Sequence, residues 1–266
     1  PIDHRVPPSE SVRGGSKAAR LRLNRFLNKK LARYNQDRNH PDAQATTGLS
    51  PYLHFGQISA HEIVDKLLAH EAWTPDQLGD VNGKNHGFWN TSASAEALLD
   101  QLLTWRELSF NRTFREPDRY DRFETLPQWA LKTLDKHRAD ERRELYTLEQ
   151  FEAAATGDPL WNAAQRELLR DGVMQNYMRM LWGKKILHWS PTPERALHIM
   201  IELNNKYALD GRDPNSYSGI FWTLGRFDRA WGPERPIFGS VRYMSSDSAR
   251  RKLRLDRYLE RFGPPP

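Results

Sequence analysis

Apolar positions recur along most of this chain at three- and four-residue spacing, the period of a helix with one face turned inward. Over 17–34 (KAARLRLNRFLNKKLARY), Leu21, Leu23, Phe26, Leu27 and Leu31 form one stripe with Arg and Lys opposite. Ser59, with Glu62 three residues on, has the form of a capping box and opens a helix running to about His70. Ser94 starts a long run from Ala95 to about Arg112, filled by Leu98, Leu99, Leu102, Leu103 and Trp105. Further helices are predicted at 127–135, 147–155, 160–171, 173–189, 192–207, 216–224 and 246–261. No segment alternates Val, Ile and Thr with period two, so the fold class read from the pattern is all-α. Gly and Pro mark loops at Gly14-Gly15, Asn82–Gly87, Asp210–Pro214 and Trp231–Pro236. Residues 75–93 are the best candidate for a boundary between lobes in what otherwise reads as one domain over 1–266.

Composition narrows the classes. The 266 residues include nine Trp and no Cys, with a mean hydropathy of −0.80. That aromatic content argues for a packed fold. Without cysteine there is no disulfide framework, thiolate metal site or cysteine nucleophile, which fits a reducing, intracellular setting. No apolar run approaches a membrane span, and the opening Pro-Ile-Asp-His-Arg is not followed by a signal-peptide core. Forty basic residues against 34 acidic give +6. The distribution is more telling than the total. Nine basic residues against one acid lie between Arg13 and Arg38, and seven against three between Val241 and Phe262. Each concentration is read either as a solvated helix face or as a phosphate-binding surface.

Most catalytic motifs are missing. Gly14-Gly15-Ser16-Lys17 lacks the spacing of a phosphate-binding loop, and there is no G-x-G-x-x-G, HExxH or G-x-S-x-G. The nine His are scattered, so no metal is expected. Two features remain. Ala45-Thr-Thr-Gly-Leu-Ser50 is a hydroxyl-rich turn entering Pro51-Tyr-Leu-His-Phe, which suits either an anion site or a plain helix cap. Trp182 and Trp189 lie two helical turns apart, with Trp161 one helix earlier; core packing is the default reading, and electron hopping between indoles is the alternative. Arg179, on the same apolar helix, requires a carboxylate partner, and Asp210 is a candidate.

Longer stretches carry a resemblance. Leu203-Asn-Asn-Lys-Tyr-Ala-Leu-Asp-Gly-Arg-Asp-Pro-Asn-Ser-Tyr-Ser-Gly-Ile-Phe-Trp222, Gly225-Arg-Phe-Asp-Arg229, Gly232-Pro-Glu-Arg-Pro-Ile-Phe-Gly239, Val241-Arg-Tyr-Met-Ser245, Leu160-Trp-Asn-Ala-Ala-Gln165, Arg179-Met-Leu-Trp-Gly-Lys-Lys-Ile-Leu-His-Trp189 and Leu49-Ser-Pro-Tyr-Leu-His-Phe-Gly-Gln-Ile-Ser59 resemble class II cyclobutane-pyrimidine-dimer photolyases of the photolyase/cryptochrome family. These matches run in order from about Gly14 to Leu259.

The resemblance implies an all-helical FAD-binding domain that repairs UV-damaged DNA in blue light, favoured as a monomer and placed in the cytoplasm or wherever DNA is held. By motif match, Tyr34, Arg38, Arg106 and the turn Thr46, Thr47, Gly48, Leu49 and Ser50 would bind the cofactor. Arg179 and Asp210 would pair beside the isoalloxazine, with Asn204 near flavin N5. Trp161, Trp182 and Trp189 would carry electrons to the flavin. Gln101, Trp105, Met180 and Trp222 would line the lesion pocket, and Arg242 and Arg250 would contact DNA. The family's N-terminal α/β antenna domain has no counterpart here, so light harvesting is expected to rest on FAD alone. Gln101 stands where the resemblance leads one to expect Glu, Leu181 where one expects Tyr, and Gln175-Asn176 where one expects His-Gly. The rival readings are a cryptochrome-like photosensor and a helical DNA-binding protein without flavin.

Overall fold

The computed structural model describes residues 4–81 and 83–264. Parts of two features read from the sequence therefore lie outside the described residues: the opening Pro1-Ile2-Asp3 and Asn82 of the 82–87 loop. Among the described residues there is no strand, and the isolated contact between Arg235 and Gly239 is the extent of β pairing.

Fourteen α-helices are described. The first, α1 (Ser16–Lys29), buries Ala19, Leu23, Phe26 and Leu27. It ends short of the predicted 34, because a 3-10 turn over Leu31–Arg33 redirects the chain into α2 (Tyr34–Asp37). Leu21, assigned to the inward stripe, instead points to solvent at 71% exposure, and Ala19 takes the inward place. After α3 (Ser50–His54), α4 (Ala60–His70) is capped by Ser59, whose side chain accepts from the Glu62 backbone. The Glu62 carboxylate, however, does not complete a capping box in the expected way; it is held by Arg20 at 2.6 Å.

The long run is capped by Ser92 rather than Ser94. Ser94 lies inside the helix, buried, and accepts a bond from the Asn35 backbone. The run continues from α5 (Ala93–Leu99) through a π-helical turn (Asp100–Trp105) into α6 (Arg106–Arg115). Then come α7 (Gln128–Lys136), α8 (Leu148–Glu152), α9 (Pro159–Asp171), α10 (Asn176–Trp189), α11 (Pro193–Tyr207) and α12 (Pro214–Thr223). The helix predicted over 246–261 is two, α13 (Ser246–Lys252) and α14 (Asp256–Phe262), because Leu253 is extended.

These helices close around two apolar clusters. One draws on residues between Ala19 and Leu102. The larger, between Leu126 and Phe262, has α10 at its centre, packed against α9, α11 and α12. Trp89, from the 75–93 segment, packs on the first cluster. The clusters are joined by α6 lying along α12, with the Arg112 guanidinium 4.6 Å from the centre of the Phe221 ring, and by Tyr120 edge-on to Tyr217. A second tie is polar: Asp42 accepts from the backbone of Arg257 and Tyr258, and Arg254 pairs with Asp37.

Candidate functional site

The predicted cofactor residues fall on both sides of this junction. On the first side, Tyr34 is buried edge-on against Phe26, with the Arg38 guanidinium 5.7 Å over its ring; burial, partly offset by Arg38, raises its pKa. In the turn Thr46–Ser50, Leu49 is buried and can offer a ligand only its backbone. The position before α3 carries no side-chain cap; instead the Leu49 N–H donates to Thr47 Oγ1 at 3.3 Å, leaving Thr46 and Ser50 exposed. The hydroxyls therefore do not act as the plain cap. Gly48 sits at φ 64°, and a β-carbon there would lie 2.6 Å from Arg22 Nε, which itself donates to the Thr47 carbonyl. Burial and the neighbouring charges of Arg22, Arg25 and Arg33 lower the pKa of Lys30. A hydroxyl-bearing turn flanked by mutually repelling cations has the donor set and charge to hold phosphate.

On the other side, Arg179 Nη2 meets Asp210 Oδ1 at 3.3 Å. The pair is less buried than an apolar helix face suggested, with side-chain exposures of 22% and 13%. Asn204, buried on α11, donates through Nδ2 to Ser216 Oγ. That bond fixes the amide and leaves Oδ1 as its acceptor. The two sides touch: Gln175 Nε2 donates to the Arg38 carbonyl at 2.7 Å, while Gln175 Oε1 caps α10 one turn before Arg179. His54 lies 3.3 Å from Asp213. Sequence reasoning noted Gln175 as a departure and missed it as a clamp, since its partner is 137 positions away. Arg106 lies apart from this group in its described contacts, paired with Glu107 and stacked on Phe110 at 4.2 Å.

The three tryptophans form a buried series. Trp161 Nε1 donates to the Trp182 carbonyl at 3.0 Å, and the Trp161 and Trp189 rings stand 6.0 Å apart at 78°. Trp182 Nε1 is satisfied by Gln165 at 2.8 Å. Trp161 thus meets both of the others, through the Trp182 backbone and the Trp189 ring. Tyr146 and Phe151, unremarked in the sequence, also contact Trp189, at 5.3 and 6.4 Å. A cavity of about 420 Å³ opens beside Trp189, lined by Lys185, His188, Tyr243 and Arg250 among others.

The residues assigned to lesion and DNA divide. Trp105, 37% exposed, stands edge-on to Phe227 at 6.5 Å; Phe227 was not foreseen, and its φ of 59° is unusual for a bulky side chain. The Arg242 guanidinium lies 5.2 Å over Trp222 and 4.0 Å over Trp231 and is paired with Asp228. Met180 is part-buried one turn before Lys184, which sits 5.2 Å below Trp222. Arg250 lines the cavity beside Trp189.

No protein-family profile matches the chain. It is 42% identical over 250 residues to a deoxyribodipyrimidine photo-lyase from Methanothermobacter thermautotrophicus, covering 94% of this chain and 51% of that protein. It is also 42% identical over 236 residues to the Arabidopsis thaliana deoxyribodipyrimidine photo-lyase, covering 88% and 44%. The chain thus spans about half the length of the curated relatives it matches. Among solved structures, a class III photolyase from Agrobacterium tumefaciens superposes with a TM-score of 0.66 at 18% identity, over 93% of this chain and 44% of its own. A Synechocystis cryptochrome does so at 0.65 and 19%, over 98% and 47%.

Proposed function

The chain belongs to the photolyase/cryptochrome family, and from that premise we propose that it is the FAD-binding unit of a class II enzyme that splits cyclobutane pyrimidine dimers in UV-damaged DNA. The observation that carries the reading is the order along α10. Arg179, paired with Asp210 at the junction of the two clusters, stands one turn before the buried Trp182, whose carbonyl meets the Trp161 indole, itself packed against Trp189.

FAD, when bound, supplies a light-excited electron that enters the dimer, opens its ring and returns, so that no net oxidation occurs. The chain's own part is to hold and protect that arrangement. Thr46, Thr47, the Gly48 and Leu49 backbone and Ser50, with Arg22 close by, would bind the phosphates; Tyr34 and Arg38 would close the near side. Asn204 Oδ1, held by Ser216, would accept a hydrogen bond from N5–H of the reduced cofactor, which favours that state. Arg179 would lend positive charge to its polar edge, and Asp210 would keep that guanidinium in place. Trp105, Met180 and Trp222 would give apolar faces to a dimer turned out of the duplex, as chemistry on a stacked base requires. Arg242, beside Trp222, would meet phosphate. Arg250, beside the cavity at Trp189, would also meet phosphate. Action on DNA places the protein wherever DNA is held within the cell.

The test is an absorption spectrum of the FAD-loaded protein under blue light with an external reductant. Flavin absorption near ~450 nm should bleach as the cofactor is reduced, and Trp182→Phe should slow this step while chemically pre-reduced protein still repairs dimers. Equal loss of both activities in Trp182→Phe would defeat the electron-relay role. A protein that photoreduces but repairs no dimer would be read as a photosensor instead.

A further inference from the structure

Asp100 opens the π-helical turn between α5 and α6, and the sequence reading gave it no role. In an α-helix, residues five apart sit about 140° past a full turn from each other and do not meet. The wider turn brings them round: Asp100 Oδ2 accepts from Trp105 Nε1 at 3.0 Å and from Gln101 Nε2 at 3.3 Å. One carboxylate oxygen therefore fixes both an exposed indole and an amide on the same rim.

A carboxylate can only accept, so the neighbouring amide must turn its NH2 toward it; the reversed amide would set Oε1 against a negative oxygen. Gln101 then presents Oε1 as an acceptor with its second N–H alongside. This acceptor–donor pair matches the imide edge of thymine or uracil, where N3–H donates and the C4 carbonyl accepts. It clashes with cytosine, where N3 accepts and the 4-amino group donates. A free glutamine serves either edge by flipping.

We propose that Asp100 locks the Gln101 amide so that this rim reads imide-bearing pyrimidines and rejects cytosine. The proposal rests on the lesion-binding reading above and makes Asp100 a positioning residue for specificity. The expected discrimination is that of a correctly against an incorrectly paired base edge, roughly tenfold or more.

The experiment compares repair, by FAD-loaded and chemically reduced protein, of oligonucleotides carrying one thymine–thymine or one freshly made cytosine–cytosine dimer. The unaltered chain should favour thymine at least roughly tenfold in kcat/KM. Asp100→Asn, which can offer either an acceptor or a donor, should bring the ratio toward one with flavin content unchanged. Gln101→Met should also abolish the preference, which keeps the test open if Asp100→Asn fails to fold. Equal repair of both dimers by the unaltered chain, or an unchanged ratio in Asp100→Asn, overturns the proposal. If flavin loads but neither dimer binds, the lesion-binding reading itself is overturned, and this proposal falls with it.

Discussion

Arg179 and Asp210 stand 31 positions apart, and each is placed by its own helix boundary before the two meet. Because the pair is only part-buried, removing Asp210 does not strand a charge in hydrocarbon. Asp210→Ala should cost about 2 kcal/mol, the range of a hydrogen bond to a charged group, and its larger effect should be faster loss of FAD, read as flavin retained through gel filtration. Lys184 is the opposite case: it is fully buried, donating to the Thr223 carbonyl, and burial drives its pKa down to about 7 against a smaller upward pull from Asp228. A lysine lowered on folding binds fewer protons folded than unfolded between about 7 and its ordinary 10.5. It therefore costs stability in full below pH 7, and the cost is relieved as pH rises toward 10.5. Lys184→Met should accordingly raise Tm most near pH 6 and least near pH 10; a pH-independent change would show that the amine is not desolvated. The sequence pointed to the Arg179–Asp210 pair but not to Lys184, which lies among Gly183, Lys185 and Ile186 with nothing local to mark it as buried.

Helix edges were legible where a side chain acts locally. Ser59 caps the helix it was read to cap, and Pro159, Pro193 and Pro214 each enter a helix in its first turn. The turn between α9 and α10 depends on Gly172, which ends α9 at φ 67° and receives the Leu209 N–H on its carbonyl at 2.8 Å. A β-carbon at Gly172 would come 2.7 Å from Leu209 Cγ. Gly172→Ala should therefore destabilise by about 1–3 kcal/mol through strain and crowding, measured as a lower urea midpoint with unchanged slope. What could not be read locally were the interruptions. The π-turn at Asp100–Trp105 and the break at Leu253 interrupt patterns that look continuous, because packing against distant partners decides there and not propensity.

At the scale of the whole molecule, two apolar clusters are held together more by polar ties and ring contacts than by a shared core. Asp42 is central, since its carboxylate accepts both the Arg257 and Tyr258 N–H groups at the start of α14. Asp42→Ala should cost about 1–2 kcal/mol as a lost helix cap and raise hydrogen exchange in α14 while α10 stays protected; uniform exchange would mean the clusters open as one. The helical periodicity, the all-α class, the basic concentrations and the long motifs were determined by the sequence alone, because each is a property of neighbours along the chain. Tertiary structure decided the rest. It brought Trp161 to both Trp182 and Trp189 and joined Gln175 to Arg38. Each of these depends on which helix faces which. That is settled by burial and hydrogen bonding between residues tens to hundreds of positions apart, about which local spacing carries no information.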